Sequence, residues 1–271
     1  MSEWDAVAYN RLAEPQFAWG TRVLDRLALR GDETVMDAGC GTGRLTELLL
    51  ERLPQGRVLA VDHSRNMLDA ARTRLARFGD RIRFVHGDLE SVGMHAAVDV
   101  VFSTATFHWV LDHDRLLRSL RRALRPGGWL IAQCGGRPNL ARLRERVATL
   151  MRQEPFAAFF SGWREPWEFP DDATEARRLS RAGFVDIETS LEPGPAVLPH
   201  RERYIAFLRT VVLFPHLDQI PNDQLQERFL APLVEQASHD DPPFTLDYWR
   251  LNLRGRRPSI GRLSTVDDGS R

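Results

Sequence analysis

The sequence predicts an α/β protein organised around a doubly wound, mostly parallel sheet. Short apolar runs rich in Val, Ile and Leu recur through the first half of the chain, at residues 34–37, 58–62, 82–86, 98–103 and 129–134. Segments of helical period separate them, and the first run passes through a glycine turn into an amphipathic stretch, "VMDAGCGTGRLTELL". Continuous apolar strands alternating with helices are the pattern of a parallel sheet covered on both faces. Right-handed crossovers then wind it in both directions and leave a ligand crevice at the carboxyl ends of the strands.

After the second strand, Met67, Ala71, Leu75 and Phe78 share one helix face, with Ser64 placed to cap its start. Leu117, Leu120 and Leu124 do the same after Asp112. The turn signals "LPQG", "FGD" and "RPGG" close the successive helices. From Pro138 the rhythm changes. Residues 139–151 carry Leu140, Leu143, Val147 and Leu150 at helical spacing, and an aromatic, proline-broken segment follows, "EPFAAFFSGWREPWEFP". "FVDIETSLE" reads as a strand, 204–214 and 222–236 as helices, and "FTLDYWRLNLRG" as a late strand. Residues 261–271 read as a flexible tail.

Composition excludes several partners. The 37 cationic side chains, all arginine, balance 37 anionic ones, which argues against nucleic acid as the main partner. "RLRRALRPGG" and "RGRRP" read as solvated basic faces. No run of apolar residues is long enough to span a bilayer, and the first ten residues are too polar for a signal peptide, so no membrane partner is expected. Cys40 and Cys134 lack metal-ligand spacing and fall at the ends of two well-separated strands, so neither a metal nor a disulfide is expected and a cytoplasmic setting is. Oligomeric state is not legible.

The glycine turn identifies a cofactor class. Gly39, Gly41 and Gly43 give G-x-G-x-G, where a dinucleotide turn has G-x-G-x-x-G. Asp37, two residues before the first glycine, would repel a pyrophosphate but suits an ammonium or sulfonium group. Asp62 ends the second strand, where a carboxylate can accept from two ribose hydroxyls. Asp88, in "GDLE", ends the third and can meet an adenine amino group. Each alone fits a solvated loop; three in order form a constellation. A nicotinamide oxidoreductase is the competing reading of the same unit.

"VMDAGCGTG", "VDHS", "HGDLE" and "LRPGGWL" resemble class I S-adenosylmethionine-dependent methyltransferases, over roughly residues 9–134. The resemblance implies a seven-stranded sheet of order 3-2-1-4-5-7-6 with the seventh strand antiparallel. It puts Asp37, Gly39, Cys40 and Gly41 at the methionine end, Asp62 and His63 at the ribose, and Met67, Gly87, Asp88 and Leu89 around the adenine. Thr104 closes the fourth strand beside the cofactor, and Tyr9 and Trp19 cover it from an N-terminal lid. The implied divisions are a cofactor-binding core at 1–137, a lid insertion at 138–180, and the last two strands with an inserted helical pair at 181–260.

"FHWVLDHD", the start "MSEWDAVAYNRL" and the layout of the C-terminal part are similar to the trans-aconitate methyltransferase-like group, whose members esterify small carboxylic acids. This implies transfer to a small molecule, on a carboxylate or hydroxyl oxygen. The alternatives are transfer to N or C of a small aromatic metabolite, a binding protein without turnover, and an RNA or protein acceptor. His108, on the loop after the fourth strand, is the candidate catalytic residue, its alternative being to pack on Trp109. Gln16, Trp109, Phe159 and Trp163 are the candidate substrate contacts. Arg137 and Arg164 are placed to pair with a substrate carboxylate or else lie at the surface, and His113 reads as a solvated or capping group. A hydroxyl or amine acceptor needs a proton acceptor and a carboxylate does not, so the state of His108 reports on substrate class.

Overall fold

The computed structural model describes residues 3–259. Helices α1 (Ala6–Leu12) and α2 (Glu14–Leu24) precede β1 (Thr34–Ala38), α3 (Arg44–Glu51), β2 (Arg57–Asp62), α4 (Arg65–Leu75) and β3 (Ile82–His86). Next come β4 (Val98–Thr104), α5 (His113–Ala123), β5 (Leu124–Gly135), α6 (Ala141–Met151), α7 (Asp172–Ala182) and β6 (Val185–Pro193). The chain continues through β7 (Ala196–Val197), α8 (Arg201–Phe207), α9 (Phe214–Leu217), α10 (Asp223–Ser238) and β8 (Thr245–Leu246) to β9 (Trp249–Arg256).

Seven strands form one sheet in the order β3-β2-β1-β4-β5-β9-β6, which is 3-2-1-4-5-7-6 counted within that sheet. The first five strands pair in parallel. β9 runs antiparallel to both β5 and β6. The order reverses between β1 and β4, so the crevice opens at the carboxyl ends of those two strands. Local signals start the covering helices: Ser64 Oγ accepts from the Met67 N–H at 3.2 Å, and Asp112 Oδ1 from the Arg115 N–H at 2.9 Å.

Apolar faces meet the sheet on both sides. Leu116, Leu117, Leu120 and Leu179 pack on one face against Met36, Val101 and Leu130. Leu24, Leu49, Leu50 and Leu53 pack on the other against Val35, Val58 and Phe102. Above the carboxyl ends lies a separate cap. Trp19, Leu143, Phe156, Phe160, Tyr204, Phe229 and Leu233 share one apolar core, so segments before and after β6 cover the site together. Leu179 of α7, within the expected lid span, belongs to the sheet core.

Three late elements differ from the sequence expectation. The stretch "FTLDYWRLNLRG" divides, because Phe244 has a φ of 55° and the Tyr248 N–H turns back to the Leu246 carbonyl at 2.9 Å. Its first part pairs with β7 and only β9 joins the main sheet. The helix expected over 204–214 becomes α8, a π turn at Leu208–Val212 and then α9, where Pro215 has no N–H to continue a ladder. "RPGG" lies within β5, at a bulge between the pairings of Val98 and Val100. Cys40 and Cys134 are buried and unpaired. Among the described residues no helix is long and apolar enough to cross a membrane. The tail expected at 261–271 lies outside the described residues.

Candidate active site

The turn after β1 forms one wall of a cavity of about 360 Å³ that lies over the carboxyl ends of the strands. Gly39 has a φ of 85°, and a Cβ there would stand 2.1 Å from Thr106 Oγ1, so only glycine fits. Gly41 has a φ of 54° with nothing within 4 Å of where a Cβ would point, so its backbone is bare toward the crevice. The Gly41 N–H donates to Asp62 Oδ2 at 2.8 Å and the Ser64 N–H to Asp62 Oδ1 at 2.9 Å. Each carboxylate oxygen keeps a lone pair for a ligand hydroxyl. Burial raises the Asp62 carboxyl above its ordinary range.

The same cavity is lined by Tyr9, Gly39, Gly41, Asp62, His63, Met67, Gly87, Asp88, Leu89 and Thr104, all expected at the cofactor. Asp37 lies beneath the turn. It is 3 % exposed, accepts from Thr46 Oγ1 at 2.7 Å, and is raised to about 7 by burial and then by Asp62. Cys40 packs against Ala60 and Leu68 rather than lining the cavity. Trp19 lines neither this cavity nor the smaller one beside it; it packs edge-on against Tyr248 at 5.0 Å and lies under the Arg250 guanidinium at 4.5 Å.

Sequence reasoning missed the outer wall. Glu3 Oε2 accepts from the Ser64 hydroxyl at 2.6 Å, and Trp4 packs edge-on against Tyr9 and Trp109 at 5.3 and 5.2 Å. Four carboxylates, on Glu3, Asp62, Asp88 and Glu90, line the cavity beside apolar Met67, Leu89 and Val110. An acidic, partly apolar pocket with a bare glycine turn fits a cationic nucleoside and opposes a pyrophosphate.

A second, smaller cavity of about 30 Å³ adjoins the first and shares Trp4, Tyr9, Ala105 and Trp109 with it. His108, Gln16, Tyr248 and Arg250 contribute its polar wall, together with Asn139. Gln16 Oε1 is buried there without a partner. Phe159 and Trp163 line neither cavity: Phe159 packs on the cap core, and Trp163 packs at a tilt against His216 at 4.4 Å. Trp167 and Phe169 are the members of that aromatic segment that reach the small cavity.

His108 sits on a 3-10 turn, Phe107–Trp109. That turn is anchored by His113, which is 1 % exposed rather than solvated. Its Nε2 meets the Phe107 carbonyl at 3.1 Å and its Nδ1 meets Glu175 Oε1 at 2.8 Å. Both ring nitrogens face acceptors, and Glu175, 62 residues away in the chain, leaves no local sequence signal. His108 Nδ1 accepts from the Gly135 N–H at 3.3 Å, which assigns the ring proton to Nε2. Burial, then Arg250, then His113 push His108 well below the ordinary histidine range. The ring is a neutral hydrogen-bond donor.

Arg250 was also missed. It is 3 % exposed, its Nε reaches Gln133 Oε1 only at 3.4 Å, and among the described residues no carboxylate lies within ion-pair distance. Burial lowers its affinity for its proton. Because β9 is antiparallel, its first residues fall at the carboxyl end of β5, where Arg250 pairs with Gly135. Arg137 and Arg164, the arginines expected near substrate, are exposed.

Fold and site together define an α/β protein with an acidic crevice suited to a cationic nucleoside and a second, smaller cavity beside it. Comparison with known proteins gives the class of reaction. A methyltransferase-domain family model matches residues 35–128. A trans-aconitate 2-methyltransferase of Methylobacterium nodulans is 36 % identical over 277 aligned positions, covering 95 % of this chain and 99 % of the relative. The enzyme of that name from Azoarcus sp. is 32 % identical over 233, covering 83 % and 85 %. Haemonchus contortus phosphoethanolamine N-methyltransferase 2, solved with S-adenosylhomocysteine, shares the fold at a TM-score of 0.61 and 17 % identity, covering 94 % of this chain and 57 % of that one. The chain belongs to the class I S-adenosylmethionine-dependent methyltransferases.

Proposed function

We propose that this methyltransferase esterifies a small carboxylic acid, transferring a methyl group from S-adenosylmethionine to a carboxylate oxygen. One observation carries the reading: a buried guanidinium with no ionic partner among the described residues faces the pocket beside the cofactor cavity. A desolvated cation of that kind is costly unless an anion completes it, and arginine's planar fork matches a carboxylate. The relatives named above for a carboxylic-acid acceptor support the same class.

The cofactor supplies a methyl group already activated by sulfonium charge. In this reading Asp62 takes the ribose hydroxyls, Asp88 and Leu89 border the adenine, and Gly39 and Gly41 let backbone approach the methionine end, with Asp37 below. Arg250 and the His108 Nε2–H hold the acceptor carboxylate, while Trp4, Tyr9 and Trp109 shield both cavities from water. His108 orients rather than removes a proton: its imidazolium would stand beside Arg250 and His113, and a carboxylate has no proton to lose. The two unpaired cysteines accord with a reducing, cytoplasmic setting.

The test is methyl transfer from labelled S-adenosylmethionine to a panel of carboxylic acids, phenols and amines, followed by mild alkali. A methyl ester releases its label as methanol. A base-stable methylated product would refute the carboxylate assignment.

A further inference from the structure

The surroundings of Arg250 also describe the rest of the acceptor. We infer that it is a monocarboxylic acid with an apolar body, not a di- or tricarboxylic acid; this rests on the carboxylate reading above. Among the described residues, Arg250 is the one cationic side chain lining the smaller cavity, since His108 is held neutral. Beyond Arg250 the polar groups of the wall named above are uncharged, and the rest of it is apolar, formed by Leu140, Trp167, Phe169, Val211 and Val212. The next guanidinium, on Arg144, lies 5.4 Å from the Phe169 ring centroid and already pairs with Glu165 at 2.5 Å.

In the other direction lies the cofactor cavity with its four carboxylates. A second or third carboxylate on the acceptor would therefore meet either a wall with no further cation or a field of its own sign. Burying an anion without a partner is strongly unfavourable, whereas an apolar body removes that wall from water. The small cavity must widen to take such a body. Val211 and Val212 stand on the π turn of Leu208–Val212, an irregular ladder of the kind that recurs at functional sites.

Calorimetric titration of the full protein saturated with S-adenosylhomocysteine, using cinnamate, octanoate, cinnamamide and trans-aconitate, tests this. At least one monocarboxylate binds, and trans-aconitate binds about 100-fold more weakly, the scale of one unpaired buried charge. Arg250→Met removes monocarboxylate binding and leaves S-adenosylhomocysteine affinity unchanged. Equal or tighter binding of trans-aconitate overturns the inference while the carboxylate reading stands. Cinnamamide binding as well as cinnamate, or no binding of either monocarboxylate in the millimolar range, overturns both.

Discussion

Replacing Arg250 with methionine separates a ligand-binding arginine from a structural one. The side chain is 3 % exposed, and its contacts are a 3.4 Å hydrogen bond to Gln133 and a 4.5 Å cation–π approach to Trp19. The second is worth about 2 kcal/mol at most. Desolvating an ion costs several kcal/mol, roughly, after relaxation of its surroundings. In the free enzyme the guanidinium is therefore a net burden, and methionine of similar length should leave the melting temperature level or raise it by a few degrees. With acceptor bound the balance reverses, because removing one partner of a buried charge pair costs about 2–5 kcal/mol. That corresponds to a loss of about 30-fold to several thousand-fold in kcat/KM. The assay is methyl-ester formation at varied acceptor, with thermal unfolding and cofactor titration in parallel. A melting temperature several degrees lower with kcat/KM little changed would refute the reasoning and make Arg250 a packing residue.

Other perturbations address the remaining groups. Asp62→Ala should weaken S-adenosylhomocysteine binding by about 10- to 100-fold, the scale of charge-assisted hydrogen bonds; an unchanged dissociation constant would contradict the ribose assignment. His108→Gln keeps a donor and should retain turnover within about tenfold of the wild type, whereas His108→Ala should not. A general base contributes about 10²–10⁴-fold that glutamine cannot replace, so equal inactivation of both variants would reinstate it. Burial holds the Asp37 carboxyl at about 7, so the folded apoprotein keeps a proton that the unfolded chain releases near its ordinary value of 3.8. The stability tied to that proton is complete below the unfolded value and is lost as pH rises through about 7, by up to about 4 kcal/mol. Asp37→Asn should flatten the fall in melting temperature of the apoprotein between about pH 5 and pH 8; an unchanged slope would place the titration elsewhere.

The sheet and the lining of the larger cavity were legible because their signals are local. Asp62 and Asp88 each follow an apolar run, and Gly39 and Gly41 sit in a strand-to-helix turn whose spacing and acidic neighbour separate it from a dinucleotide turn. The smaller cavity depends on distant pairings. Arg250 reaches the site because β9 reverses direction, and an arginine within "YWRLNL" was the available signal. His113 is held by Glu175 through the packing of α7 beside α5, which no local spacing reports. The aromatic segment could be recognised as a cap, yet composition could not separate Trp167 and Phe169, which reach the cavity, from Phe159 and Trp163, which do not. Trp19 lies on the helix expected to cover the cofactor, but its ring supports Arg250 instead.

The most direct measurement is a crystal structure of the protein with S-adenosylhomocysteine and the best carboxylate acceptor. The account predicts nucleoside density between Gly41, Asp62 and Leu89, and a carboxylate within hydrogen-bond distance of both the Arg250 guanidinium and His108 Nε2. An acceptor bound away from Arg250, or Arg250 turned to pair with a protein carboxylate, would contradict it.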